Sequence, residues 1–253
     1  FCGYHGWQDW YLSANLRVKN NLNNHLFSGI STDGINHKLS GTSFPFEYNN
    51  YENFLSVIKR NNIGVVIMEV ERNLKPINNF MKKIQKYCNQ NNIILIFDEC
   101  TSGFKETFGG IYKKYKLSPD IVVYGKALGN GYAINAVLMK EHIANEAKQT
   151  FTSSTFWSEK VGVSAGIKTL NEMNKIKSWE IIKNKGLKIK ESWKKIANEN
   201  NLDINIFGID SMPNFSFPNR DNQILKQYLT AELLKKNILA NFSIYLSTTH
   251  KNI

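Results

Sequence analysis

The 253-residue sequence contains no run of about 18 apolar residues, the length that a membrane-spanning helix needs. Its start, FCGYHGWQDWY, has neither the basic residues nor the apolar stretch of a secretory signal. Cysteine is scarce: Cys2, Cys88 and Cys100 are odd in number and lack Cys-x-x-Cys spacing. We therefore expect no disulfide framework, no zinc or other metal site and no membrane contact, but a cytoplasmic protein with reduced thiols.

Arginine is also scarce, although the formal net charge is +11. The only arginines are Arg17, Arg60, Arg72 and Arg220, and the lysines are scattered through Asn-rich segments such as KNNLNNH. Base recognition and bidentate phosphate contacts favour clustered arginine. The charge thus indicates a solvated lysine surface, and no nucleic-acid partner is expected.

The first two thirds of the chain have the pattern of alternating strands and helices. Apolar runs at 62–70, 93–97, 121–124 and 134–139 predict buried strands. Between the first two runs, apolar residues recur at helical spacing: Ile77, Phe80, Met81, Ile84, Tyr87 and Cys88. A strand, a helix and a strand within about 35 residues form a βαβ unit with parallel strands. The fold class is therefore α/β, a mostly parallel sheet with helices on both faces.

The pattern changes from about residue 158. Helical spacing through SEKVGVSAGIKTLNEM and SWEIIKNKGLKIKESWKKIANEN predicts one long helix leaving the sheet domain. Short strands in DINIF and PNFSF, a helix over 221–237 and a last strand in ILANFSIYL predict a smaller α+β unit. We place a major domain at 1–175 and a C-terminal small domain at 176–253, both partial.

Two polar groups follow neighbouring strands of the predicted sheet. The run at 93–97 is followed by Asp98 and Glu99, and the run at 121–124 by Gly125 and Lys126. Ligands of open parallel sheets bind at the carboxyl ends of the strands. Either residue alone is better explained as the polar cap of the turn that follows its strand. Together, a carboxylate and an amine are what a carbonyl cofactor needs, because the amine can form a Schiff base and the carboxylate can hold a pyridine nitrogen protonated.

Four segments carry a family resemblance: GYHGW, LIFDECTSGFKETFGG, PDIVVYGKALGNG and SSTFWSE. In this order they resemble the class III, fold type I, pyridoxal-phosphate aminotransferases, and most of all the branch that includes glutamate-1-semialdehyde 2,1-aminomutase. The resemblance implies a homodimer that shares its active sites between subunits and moves an amino group from a small-molecule donor to a carbonyl acceptor. Internal amino transfer and a non-catalytic binding relative remain alternatives, although the second should have lost Lys126 or Asp98.

The resemblance also implies roles for individual residues. Lys126 matches the lysine that forms the Schiff base with pyridoxal 5'-phosphate and then moves the proton of the substrate, and Asp98 matches the partner of the pyridine nitrogen. Tyr4 and His5 match a turn whose aromatic residue lies against the cofactor ring. Thr155 matches a threonine that reaches the cofactor phosphate of the partner subunit. The alternatives are ordinary turn residues for Tyr4 and His5, and for Thr155 the N-cap of a helix that begins near Ser158.

The chain departs from the family in three respects. Glu69 matches a glutamate near the active site, but Val70 stands where a proline usually follows, so the role of Glu69 is open. TFWSE replaces the Gly-Asn-Pro of the aminomutases, which predicts a different substrate. Relatives have a strand and a phosphate-binding loop before Tyr4 and a further helix at the other end. We therefore expect that the sequence is part of a longer protein.

Overall fold

The computed structural model describes residues 3–6, 8–23 and 29–251. Cys2, one of the expected reduced thiols, lies outside the described residues, and Cys88 and Cys100 are free. The helices are α1 Asp9–Leu12, α2 Ala14–Arg17, α3 Tyr51–Arg60, α4 Phe80–Gln90, α5 Glu141–Ala147, α6 Lys160–Ile176, α7 Ser178–Glu199 and α8 Asn222–Leu234. The strands are β1 Val65–Met68, β2 Ile94–Asp98, β3 Ile121–Tyr124, β4 Ala136–Met139, β5 Asn205–Phe207 and β6 Asn214–Ser216. Within these ranges no helix is both long and apolar enough to cross a membrane.

The main sheet has the strand order β1-β2-β3-β4. β1, β2 and β3 are parallel, and β4 is antiparallel to β3. The predicted βαβ unit and the mostly parallel sheet are therefore confirmed, and all four predicted strands form. As a result, the carboxyl ends of three neighbouring strands lie at one edge of the sheet.

Side chains alternate between the two faces of this sheet. On one face Leu95 and Phe97 of β2 are fully buried in the main core, together with apolar side chains of α3 and α4. On the opposite face Ile67 and Ile96 line a cavity of about 540 Å³. Tyr11 of α1 also lines that cavity. Helices therefore lie on both faces, as predicted.

Helix α4 begins later than its apolar pattern indicated. Asn78 and Asn79 both have positive φ, 51° and 57°, and asparagine tolerates this left-handed conformation better than most residues do. The helix therefore begins at Phe80, and Ile77 lies before it with 52% of its surface exposed. The assignment of Ile77 to the buried stripe was wrong, because the two asparagines turn the chain before the helix starts.

The single long helix predicted after residue 158 was also wrong. Lys177 adopts φ 50° and ψ 51°, which ends α6 and starts α7 in a new direction. On α7, Gly186 packs directly against the carbonyl group of Asp210, so closely that a Cβ atom would overlap it. Tertiary contacts of this kind fix the path of α7, and no glycine or proline marks the break in the sequence.

The C-terminal part contains the two predicted short strands. β5 and β6 pair antiparallel, and α8 covers most of the helix predicted over 221–237. The last strand predicted in ILANFSIYL was wrong as a regular strand, since the segment makes one isolated bridge between Asn214 and Ser243. The backbone of this segment still pairs with the chain around β6. The Ile244 N–H donates to the carbonyl oxygen of Pro213, and the Leu246 N–H donates to that of Ser211. The domain boundary near residue 175 stays a prediction.

A buried carboxylate joins the C-terminal part to the loop that follows β2. Glu106 accepts hydrogen bonds from the backbone N–H groups of Asp210 at 2.6 Å and Ser211 at 3.4 Å. The second oxygen of Glu106 lies 3.3 Å from the amine of Lys114, which is also 3.3 Å from Glu71. The loop after β2 thereby fixes the position of the chain at 210–211.

Candidate active site

The ends of β2 and β3 bring the predicted carboxylate and amine to one rim. Asp98 is the last residue of β2 and pairs with Val123, while Lys126 follows β3 after Gly125. The charge of Lys126 is close enough to lower the pKa of Asp98. The arrangement at the strand ends is therefore the one that the sequence pattern predicted.

The neighbouring carboxylates Asp98 and Glu99 have different environments. Glu99 is fully buried, and it accepts hydrogen bonds from the Ser102 hydroxyl at 2.5 Å and the Tyr112 N–H at 3.0 Å. Burial raises the pKa of Glu99 to about 7, although these hydrogen bonds act in the opposite direction. Only Asp98 of the pair is therefore oriented towards the candidate site.

His5 holds Asp98 in its ionised form. The His5 Nδ1 atom lies 2.8 Å from Asp98 Oδ2, and the Cys100 N–H donates to Asp98 Oδ1 at 2.9 Å. Burial alone would raise the pKa of Asp98, but these two hydrogen bonds and the charges of His5 and Lys126 lower it below its ordinary value. The side chains of His5 and Asp98 are 7% and 13% exposed. An anionic carboxylate is thus fixed in a nearly dry position.

Lys126 has an unusual backbone and a specific partner. Its φ is +43°, a conformation that is rare outside glycine and asparagine and that tends to occur at functional sites. Its amine donates a 2.5 Å hydrogen bond to the hydroxyl oxygen of Thr101. A hydroxyl can accept a hydrogen bond from an ammonium group and donate one to a neutral amine, so Thr101 can hold Nζ in both protonation states. Thr101 was missed in the sequence, where its only signal is its position three residues after Asp98.

The glycines around Lys126 pack against the chain itself. A Cβ atom at Gly125 would lie 2.8 Å from the sulfur of Cys100, and one at Gly129 would overlap the carbonyl group of Tyr132. Because glycine has no Cβ, the turn after β3 can fold tightly upon itself. This packing positions the backbone at Lys126.

Glu69 follows β1 at the same rim. It is 2% exposed, and its Oε1 atom lies 3.3 Å from Arg72 Nη1. Its Oε2 atom is buried and has no hydrogen-bond partner in the described part of the chain. Burial raises the pKa of Glu69, with the charge of Asp98 adding to the effect, whereas the charges of Arg72, His5 and Lys126 act against it. Glu69 and Asp98 are therefore two nearby acids whose pKa values shift in opposite directions.

Two other predicted residues lie away from these contacts. Tyr4 is 37% exposed, and its ring meets that of Tyr11 edge-on at 6.1 Å. Thr155 lies in an exposed turn between α5 and α6. The alternative that Thr155 caps the following helix was wrong, because α6 begins at Lys160 and Glu159 accepts the N–H groups of Val161 and Gly162.

Comparison with known proteins places this geometry in a family. The family model "Aminotransferase class-III" matches residues 55–241. The chain is 29% identical over 248 residues to 3-aminobutyryl-CoA aminotransferase of Cloacimonas acidaminovorans (strain Evry). This alignment covers 93% of the chain and 56% of that relative. The chain is 34% identical over 160 residues to glutamate-1-semialdehyde 2,1-aminomutase of Nitrosopumilus maritimus (strain SCM1). This second alignment covers 60% of the chain and 38% of that relative. The chain thus spans about half the length of these relatives.

Solved structures share the fold. The FumI protein of Sphingopyxis sp. MTA144, in its PLP internal aldimine form, superposes with a TM-score of 0.85 over 98% of this chain and 58% of that one, at 20% identity. An omega-transaminase from Sphaerobacter thermophilus superposes with a TM-score of 0.81 over 97% of this chain and 62% of that one, at 16% identity. The family model covers most of the chain, and the chain therefore belongs to the class-III aminotransferase family.

Proposed function

We propose that this chain forms the cofactor-binding part of a pyridoxal-phosphate-dependent enzyme that moves an amino group between an amino donor and a carbonyl acceptor. The observation that carries the proposal is the pair of Lys126 and ionised Asp98 at adjacent strand ends. When bound, pyridoxal phosphate supplies a carbonyl carbon that captures amines and a ring that takes up electrons. The described side chains fit this group.

Asp98 meets the requirement for a partner of a protonated pyridine nitrogen. Its hydrogen bonds to His5 and to the Cys100 N–H keep it anionic, and the anion in turn favours protonation of the ring nitrogen. His5 acts through Asp98 as a positioning residue. The ring of Tyr4 is accessible enough to lie against the cofactor.

Lys126 is the proposed attachment point and proton carrier. Its amine would hold the cofactor through the carbonyl carbon, with release of water, and, once free, would serve as the base that takes the proton from the donor carbon. Thr101 holds Nζ within reach while the charge of the amine changes. Removal of Thr101 would therefore affect the position of the amine and leave the amine itself in place.

Lys126 attachment is tested by reduction with borohydride. After incubation with pyridoxal phosphate and reduction, mass spectrometry should find the label on Lys126, and Lys126→Ala should lose both label and turnover. Lys140→Ala is the matched control, because Lys140 pairs with Asp120 at 2.9 Å next to the beginning of β3. A label that persists in Lys126→Ala would refute the assignment.

The relatives support two outcomes of amino transfer. The relative from Cloacimonas acidaminovorans carries the name of an aminotransferase and the one from Nitrosopumilus maritimus that of an aminomutase. We favour transfer between two molecules, because TFWSE replaces the Gly-Asn-Pro sequence that marks the aminomutases. Mass spectrometry of products from a nitrogen-15-labelled donor tests this choice. Label recovered in a second molecule supports transamination, and label retained in a rearranged substrate supports internal transfer.

We further propose that the protein is a cytoplasmic homodimer in which Thr155 reaches the cofactor phosphate bound by the partner. Several apolar side chains that are near Thr155 in the sequence are exposed in the single chain, which supports a surface that a second subunit covers. They are Phe151, Phe156, Trp157, Val163 and Ile167. Ile167→Glu should therefore produce a monomer in analytical ultracentrifugation. The exposed Lys168→Glu should remain dimeric, and a monomeric unsubstituted protein would refute the proposal.

A further inference from the structure

Lys105 carries a partly buried amine without a carboxylate partner in the described part of the chain. It lies four residues after Thr101 in the loop that follows β2. Its amine makes one hydrogen bond to a described group, and that bond is long, 3.4 Å from Nζ to the carbonyl oxygen of Leu246. The adjacent Glu106 is engaged by Lys114 and by the backbone at 210–211. Among the described residues, Lys105 is therefore a cation without an ion pair.

Other partly buried lysines differ from Lys105 in this respect. Lys114, Lys140 and Lys190 each lie within 3.3 Å of a carboxylate oxygen. Burial lowers the pKa of Lys105, and the charge of nearby Lys126 lowers it further. Removing a cation from water is costly unless an opposite charge compensates. The loop that carries Lys105 also carries Thr101, which holds the amine of Lys126. An amine that has no ion pair in the described part of the chain and lies near a second amine creates a place where an anion is stabilised.

We propose that Lys105 binds an anionic group, a carboxylate or a phosphate, of the substrate that reacts at Lys126. This inference rests on the proposed function and deepens it, because it restricts the preferred donors and acceptors to molecules with an acidic group besides the reacting amine or carbonyl. Lys126 reacts with one end of the substrate, and Lys105 fixes the other. The long bond to Leu246 is weak enough to be exchanged for a charge-assisted hydrogen bond.

The first test measures protection of the amine without any turnover. Trace acetylation with acetic anhydride, followed by mass spectrometry, reports how accessible each lysine is. Glutarate should slow labelling of Lys105 severalfold and leave Lys190 unchanged, because Lys190 already pairs with Asp210 at 2.9 Å. Equal labelling of Lys105 with and without glutarate overturns the inference.

The same experiment separates a substrate group from the cofactor phosphate. In protein loaded with pyridoxal phosphate, glutarate should still protect Lys105. If the cofactor alone protects Lys105 and glutarate adds nothing, the amine belongs to the cofactor phosphate and the inference fails. Binding of pyridoxal phosphate should accordingly be equal, within about twofold, in the unsubstituted protein and in Lys105→Met.

The second test compares donors with and without the acidic group. Alanine is paired with isopropylamine, and 4-aminobutyrate with butylamine. Lys105→Met should lower kcat/KM by about tenfold or more for at least one of the acids and hardly at all for the plain amines, because it removes one charge-assisted hydrogen bond. Lys105→Arg should keep most of the preference for the acids over the plain amines, and Lys190→Met should leave that preference unchanged.

The outcomes distinguish this inference from the proposed function. If Lys105→Met lowers kcat/KM equally for the acids and for the plain amines, Lys105 only holds the segment at Leu246, and the inference is overturned. If no donor reacts and Lys126 is not labelled by borohydride, the proposed function fails. Protection of Lys105 by glutarate would still establish the anion site in that case.

Discussion

Replacing Glu99 with glutamine should remove a specific pH dependence from the stability of the fold. Glu99 is fully buried one residue after Asp98, and its two oxygens accept from Ser102 and Tyr112. Glutamine has the same shape. Its carbonyl oxygen can still accept the Tyr112 N–H, and its NH₂ group can donate to the Ser102 hydroxyl oxygen. Glu99→Gln therefore imitates the protonated acid at every pH.

The magnitude follows from the pKa of Glu99, which burial raises from its ordinary 4.5 to about 7 in the folded protein. Between these values the folded protein holds a proton that the unfolded chain has released, so stability falls as pH rises. The contribution is fully present below pH 4.5 and is lost as pH rises through 7. From pH 5 to pH 8 the loss amounts to about 2 to 3 kcal/mol.

Urea unfolding at pH 5, 6, 7 and 8 measures this contribution. The unsubstituted protein should lose about 2 to 3 kcal/mol more over this range than Glu99→Gln, because the other titrating groups are common to both proteins. Glu146→Gln, which changes an exposed acid, should behave as the unsubstituted protein does. Parallel curves for the unsubstituted protein and Glu99→Gln would refute the argument that Glu99 is held as the neutral acid.

Two further substitutions test the site and the packing of the C-terminal part. Asp98→Asn should keep the cofactor attached to Lys126 but lower kcat by at least about a hundredfold, because an unprotonated ring is a poor electron acceptor. A near-native kcat in stopped-flow assays would show that the ring nitrogen has another partner. Gly186→Ala should destabilise the protein by about 2 kcal/mol or more in urea unfolding, although alanine favours helices, because its Cβ meets the Asp210 carbonyl. Asn184→Ala, an exposed change on the same helix, is the control, and a stabilised Gly186→Ala would contradict the packing.

Most of the sheet was predictable because burial leaves a local trace in the sequence. Apolar runs such as those of β2 and β3 are continuous, and the helix between β1 and β2 has the apolar spacing of one buried face. The break at Lys177 and the irregular course of the segment before Leu246 left no such trace. Both depend on contacts with distant parts of the chain, as Gly186 does with Asp210.

The candidate site was predictable to the same extent. The pattern of strands places Asp98 and Lys126 at one rim, and the resemblance adds the turn with His5. Thr101 and Lys105 were not found, because the roles that we propose for them depend on which way side chains of one loop turn, and that loop is shaped by buried Glu99 and Glu106. Periodicity carries no information about such choices.

The contact of Glu106 with the backbone of Asp210 and Ser211 has a consequence for how substitutions combine. The loop that contains Glu106 also carries Thr101 and Lys105. This one loop therefore contacts both the backbone at 210–211, through Glu106, and the amine of Lys126, through Thr101. Changes at positions a hundred residues apart in sequence should then be energetically coupled, because additivity holds only for sites that share no partners. Variants in the C-terminal part cannot be used as a neutral background for variants of the loop.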